Sequence, residues 1–238
     1  WSSTGDPGAL QYFESSFDSV DLGWDWSSVS NLGAYTYLNS ARSGRDAATV
    51  ARIEQQMTDR ADELADNALG GNGHGRALND YYWGVNGTVA RMCLTLHAGH
   101  RLRPERVDYL DACIEQIGHL FGRNYYHRSF VTGLGLDPPM NPHDRRSGSD
   151  AIEQPYPGYL VGGPREATNW VDEQDRYDLN EIAINWQGAL VYALAGFVSP
   201  PSDPPGSAGS AGAAGTAAAG TAGAGGAPGP APQPPDAA

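Results

Sequence analysis

Residues 170–197 read WVDEQDRYDLNEIAINWQGALVYALAGF, and the fold turns on how this stretch is read. Its second part, 180–197, is apolar nearly all round, so a helix built from it must be buried on most sides. Asn180 is a good helix N-cap, which makes Glu181 the first helical residue. A carboxyl there, against Ile182, Ala183, Ile184 and Trp186, meets opposing forces: burial favours its neutral form, a helix terminus its charged form. Taken alone, such a glutamate is a partner for the helix dipole. If burial wins, it becomes a proton donor.

Working outward, apolar residues recur at helical spacing and no alternating strand run stands out. Residues 27–38 place Val29, Leu32, Tyr35 and Leu38 on one stripe, and 46–69 turn Val50, Ile53, Met57 and Leu64 inward. Residues 83–98 carry Val85, Val89, Met92 and Leu96. Pro104 suits a first helical turn, opening a helix to residue 120 with Val107, Leu110, Ile114, Ile117 and Leu120 on one face. Five amphipathic or apolar helices joined by Gly/Asn-rich turns predict an all-α fold of stacked hairpins over residues 1–198. From 199 to 238 the chain is almost wholly Ala, Gly, Pro, Ser and Thr, without an aromatic, Leu, Ile or Val. Such a segment cannot bury enough apolar surface to offset its ordering entropy, so a disordered tail is expected. It reads either as a tether to a further module or as low-complexity sequence.

All fifteen basic residues are arginine, against 28 acidic ones, for a net charge of −13. That balance argues against nucleic-acid binding, which needs a positive patch, and suits a neutral substrate such as a sugar polymer. No apolar run approaches the roughly 20 residues of a membrane span. Cys93 and Cys113 can form one bridge at most; they are read as two buried small apolar side chains. Cys113, His119, His127 and His143 lie near one another in sequence but lack a recognised zinc spacing.

Between 122 and 176 runs a long polar stretch rich in Gly, Pro, Asn and Arg, and loops of that length in compact domains are usually functional. Residues 123–146, RNYYHRSFVTGLGLDPPMNPHDRR, concentrate three Tyr or Phe rings, two histidines and four arginines. Aromatic faces suit sugar rings, while Arg, Asn and His offer donors to hydroxyls. Prolines on either side of Met140 hold His143 on a stiff backbone, which favours a preorganised contact.

These residues resemble the C-terminal half of the catalytic domain of glycoside hydrolase family 9, the cellulases. Two family signatures are recognisable, SFVTGLGLDPPMNPHDR at 129–145 and WVDEQDRYDLNEIA at 170–183. PYPGYLVGGP at 155–164 is similar to the family's connecting loop, and YYWGVNG at 81–87 to its tyrosine–tryptophan–glycine stretch. The resemblance covers most of residues 20–198. It implies part of an (α/α)6 barrel and an inverting endo-β-1,4-glucanase acting on cellulose or a related β-1,4-glucan. Under it, Glu181 is the general acid, Asp172 a supporting catalytic residue, and His143 and Arg145 hold the sugar, with Tyr177 beside them. Trp83 is either a stacking platform or a core tryptophan. No cofactor is needed for the chemistry; a structural calcium is implied only weakly, through Asp25 in GWDWSS. A carbohydrate-binding module joined through the tail and a secreted location, with a signal peptide absent from this chain, also follow from the resemblance.

Four positions depart from the family pattern: Asp137 stands where Asn, Lys or Arg is usual, Gln187 and Gly188 where Asn and a small residue are, and Arg165 where Asn is. The family's base belongs to an Asp-Ala-Gly-Asp motif near the start of its domain, and none occurs in these 238 residues. The expectation is therefore an N-terminally truncated piece holding the acid half of the pair. An exo-acting or oligosaccharide-trimming enzyme keeps the same residues, as does a carbohydrate-binding remnant that cannot hydrolyse. The isolated chain is predicted to release no more reducing sugar from carboxymethylcellulose than its Glu181→Gln variant. Hydrolysis well above that control overturns the expectation.

Overall fold

The computed structural model describes residues 1–20, 28–147 and 150–198. The tail at 199–238 and Asp25, the weak calcium candidate, lie outside the described residues. Among the described residues there are seven α-helices and no strand: α1 (Pro7–Ser16), α2 (Ser30–Asn39), α3 (Ala47–Leu69), α4 (Val85–Leu102), α5 (Asp108–Leu120), α6 (Tyr177–Asn180) and α7 (Ile184–Ala195). None is long and apolar enough to cross a membrane.

The central helix is α4, which packs against α3, α5 and α7. Val85, Val89, Met92 and Leu96 are all buried, as their spacing predicts. Trp186 of α7 lies directly against the start of α4. A Cβ on Gly84 would come within 2.4 Å of its ring, and one on Gly87 within 2.2 Å. Gly84 also has φ 81°, a conformation that favours glycine. The two glycines of YYWGVNG thus make room for one tryptophan. On α3, Asp46 caps the helix by accepting from the Thr49 N–H at 2.7 Å, and Ile53, Met57 and Leu64 face inward.

Two stripes are rotated from their expected faces. On α2 the buried residues are Asn31, Ala34 and Tyr37, while Val29 and Leu32 are exposed. The cause is α1, which the periodicity did not reveal: Phe13 stacks on Tyr37 with ring centroids 4.8 Å apart, and Glu14 accepts from the Tyr37 hydroxyl at 2.6 Å. On α5 the helix begins at Asp108 rather than Pro104, and its buried face carries Tyr109, Ala112, Cys113, Gln116, His119 and Leu120. Val107 and Ile114 are exposed instead. Gln116 and Tyr109 can occupy that face because they are partnered. Gln116 accepts from the Ala77 N–H at 2.9 Å and donates to Gly75 O at 2.8 Å, and the Tyr109 hydroxyl donates to Asp62.

Cys93 and Cys113 are bonded to each other, correcting the reading of two separate apolar side chains. The bridge ties α4 to α5 across 20 residues, a loop length that constrains the unfolded chain by about 3 kcal/mol. Helix α7 is also a partial correction. Trp186, Ala189, Leu190 and Ala193 are buried, but Ile184 is 90% and Val191 64% exposed, so this chain covers only one face of it.

His119 sits in the core next to Phe130, with ring centroids 6.0 Å apart. Burial, reinforced by the Arg76 guanidinium, pushes its imidazole down from 6.5 to about 3. The unfolded chain therefore binds a proton that the folded chain refuses between those values. Stability from this residue is full above pH 6.5 and declines as pH falls toward 3. At pH 4.5 the loss is on the order of 2–3 kcal/mol. His119→Gln is expected to flatten the fall in Tm between pH 7 and 4.5, read by circular dichroism melts; an unchanged slope refutes the assignment.

Candidate active site

Between α5 and α7 the described residues, apart from the single turn of α6, fold as extended segments and turns laid side by side. Three isolated bridges stitch them together: Val131 with Leu160 and Val161 with Ile182, both antiparallel, and His143 with Glu181, parallel. The Val161 N–H donates to Phe130 O at 3.0 Å, Gly162 N–H to Glu181 O at 2.9 Å, and His143 N–H to Asn180 O at 2.7 Å. Glu181 is therefore not the first residue of a helix. It follows α6 with φ −60° and ψ 149°, and α7 starts only at Ile184. The expected N-cap, Asn180, is fully buried and bonds elsewhere. Tertiary pairing with residues 143 and 162 outcompetes local helix extension here.

The bridges set Glu181 and His143 on adjacent segments at the floor of a cleft of about 760 Å³. Its lining includes His143, Asp144, Arg145, Arg146, Tyr159, Glu181, Ile182, Ala183, Ile184 and Gln187. Three of the predicted residues, Glu181, His143 and Arg145, are thus brought together. The His143 Nδ1 lies 2.7 Å from Gln174 O. A carbonyl only accepts, so Nδ1 carries the proton, and in the neutral ring Nε2 is the acceptor.

Tyr177 and Trp83 lie beside the cleft. The Tyr177 ring meets His143 edge-on at 6.1 Å and Trp83 at 6.0 Å, forming a row of three rings. Trp83 is 52% exposed, so it is not a core tryptophan.

Asp172 does not line the cleft; its side chain is only 10% exposed. Its carboxylate accepts from the Met140 N–H at 2.8 Å, the Asn141 N–H at 3.0 Å and Arg128 Nη2 at 3.3 Å. It holds the proline-flanked backbone that leads to His143. Sequence reasoning missed Arg128, whose guanidinium sits 5.2 Å over the Trp170 ring. It also missed the wall formed by Asp144, Arg146 and Tyr159. Arg146 donates to Asp144 at 3.2 Å and to the Tyr159 hydroxyl at 3.1 Å. Burial pushes Asp144 up, but hydrogen bonds from Arg146 and the Ser147 hydroxyl outweigh it and hold the carboxyl below the ordinary range. No spacing in the sequence signals Tyr159, because it arrives from a separate segment.

Asp137, Arg165 and Gln187, three of the departures from the family pattern, each have a local account. Asp137 pairs with Arg128 Nε at 2.8 Å, and Arg165 reaches Asp178 at 3.8 Å. The Gln187 amide accepts from Leu160 N–H and donates to Leu160 O, both at 2.8 Å, closing the bridged layer onto α7. Among the described residues no group of three or more His, Cys, Asp or Glu is placed to hold a metal ion, and Cys113 is taken by its disulfide.

A carboxyl, a fixed imidazole acceptor and a guanidinium around one cleft, with aromatic faces alongside, suit a neutral ligand rich in hydroxyls. The comparisons agree with this chemistry. The sequence model of Glycosyl hydrolase family 9 matches residues 3–194, and the chain belongs to that family. It is 48% identical over 208 residues to Endoglucanase D of Acetivibrio thermocellus, covering 84% of this chain and 32% of that protein. It is 31% identical to a xyloglucan-specific endo-β-1,4-glucanase of Bacteroides ovatus, covering 70% of this chain and 31% of that protein. Among solved structures, a metagenome-derived family 9 endoglucanase superposes with a TM-score of 0.72 at 28% identity, over 82% of this chain and 38% of that one. The all-α class and the partial (α/α)6 barrel expected from the sequence are those of this family. The chain spans about a third of the length of these curated relatives.

Replacing Asp172 by Asn removes a charge-assisted acceptor from two backbone N–H groups, an effect of roughly 1.5–3 kcal/mol per bond. Amide exchange at Met140 and Asn141 is expected to accelerate at least tenfold while α4 amides keep their protection. Hydrogen-exchange mass spectrometry that finds both regions unchanged contradicts this role.

Proposed function

We propose that this chain carries the acid and sugar-holding half of an inverting endo-β-1,4-glucanase. Glu181 donates its proton to the leaving glycosidic oxygen as the C–O bond breaks. His143 and Arg145 hold hydroxyls of the adjoining sugar, and Trp83 and Tyr177 offer ring faces beside it. A carboxylate outside residues 1–238 takes a proton from the water that attacks the opposite face of the sugar. In such a pair the two carboxyls stand roughly 6.5–9.5 Å apart, leaving room for that water.

The observation that carries this reading is the bridge between His143 and Glu181, which puts both side chains on one cleft together with Arg145. Asp172 is a positioning residue in it, because its carboxylate is spent on backbone N–H groups. An endo mode and a β-1,4-glucan substrate are favoured by the relatives named above. The Cys93–Cys113 bridge supports secretion, since such bonds persist in oxidising compartments. The segment 199–238 has the composition of a tether to a carbohydrate-binding module.

The test has two arms. Calorimetry with the chain and cellotetraose should detect binding that His143→Ala and Arg145→Ala each weaken at least tenfold. In a complete catalytic domain containing these residues, Glu181→Gln should lower kcat by about 10²–10⁴-fold with little change in KM. A variant retaining a tenth or more of the activity overturns the assignment of the acid.

A further inference from the structure

Asn180, immediately before Glu181, is 0% exposed and uses its whole side chain. Its Oδ1 accepts from the Trp170 indole N–H at 2.8 Å. Its Nδ2 donates to Val171 O at 2.9 Å and to Glu173 O at 3.0 Å. An aspartate could accept from the indole but could not donate to either carbonyl, and a shorter hydroxyl could not serve all three groups at once. The primary amide is therefore dictated by its surroundings.

These bonds converge on His143. The carbonyl next along the chain from Glu173 is that of Gln174, which receives the His143 Nδ1–H. The backbone carbonyl of Asn180 itself receives the His143 N–H at 2.7 Å. Both fixed N–H groups of the histidine thus end on Asn180 or one residue beyond a carbonyl that Asn180 holds. The next residue in the other direction is Glu181. Asn180 is thus linked to His143 through backbone hydrogen bonds and to Glu181 through the peptide bond.

We propose that Asn180 is a positioning residue that fixes the His143 ring as the Nδ1–H tautomer and sets its place beside Glu181. Nε2 is then a preorganised acceptor for a sugar hydroxyl, whereas an unrestrained imidazole interconverts between tautomers. The use of that acceptor for sugar rests on the function proposed above; the control of the tautomer does not.

The experiment uses the full chain near pH 8, where an ordinary imidazole is neutral. Long-range nitrogen–proton NMR of the histidine rings reports the tautomer of His143, and calorimetry reports cellotetraose affinity. Asn180→Asp should change the His143 spectrum to a mixture of tautomers and weaken cellotetraose at least tenfold. Trp170→Phe deletes only the indole bond and keeps a ring in the core. It should lower Tm yet leave the tautomer unchanged and the affinity within twofold. If Asn180→Asp does not fold, Asn180→Ser is held to the same criteria. A folded Asn180 variant with the native His143 spectrum overturns the proposal, as does a Trp170→Phe spectrum disturbed to the same degree. If the native chain binds no cellotetraose but Asn180→Asp still scrambles the tautomer, the positioning role stands and the glucanase reading fails.

Discussion

Peptide groups buried outside helices must still be hydrogen-bonded, and the layer between α5 and α7 is organised by that requirement. Four side chains satisfy it where the backbone cannot. Asn124 donates to His119 O and Arg128 O, closing the turn after α5. Asp172 takes the N–H groups of Met140 and Asn141, Asn180 takes the carbonyls of Val171 and Glu173, and Gln187 brackets Leu160. Each spans from one segment to another, so side-chain amides and a carboxylate tie the layer together alongside its backbone bridges. Glu181 lies inside it, and its position is determined from both sides.

The helices serve this layer by giving it a floor. Trp186 seats in the notch left by Gly84 and Gly87, which fixes α7 against α4. Phe130, Val131, Leu160, Val161, Trp170 and Leu179 pack over the same helices as one apolar cluster. Within it Phe130 meets Trp170 edge-to-face at 5.1 Å, and the Arg128 guanidinium covers the Trp170 ring. Ile184 and Val191 of α7 are left exposed on the opposite face of that helix.

Chemistry-bearing residues were legible in the sequence because their types are unusual in combination: His143 and Arg145 after a proline-stiffened run, and Glu181 before an apolar segment. The cleft brings those three together. What periodicity misjudged shares a cause. On α2 and α5 the inward face was assigned to the largest apolar residues, yet Asn31, Gln116 and His119 are inside while Val29, Val107 and Ile114 are outside. Gln116 is acceptable in the core because its partners, the Ala77 N–H and Gly75 O, are present, and both lie in a segment distant in the chain. The same holds for Cys93 and Cys113, whose pairing depends on how α4 and α5 are juxtaposed.

By itself, the sequence determined the helical class, the extent of α3 and the inner face of α4, and three of the cleft's ionisable groups, His143, Arg145 and Glu181. Those properties follow from local spacing and residue chemistry, which need no knowledge of the neighbours. Tertiary structure alone decided that Glu181 leaves the helix it was expected to begin, that Asp172 faces the backbone rather than the cleft, and that Tyr159 joins the wall. Each of these outcomes is set by hydrogen bonds between segments distant in the chain. Their free energy outweighs the local preference of any one of them, and it exists only once the segments are side by side.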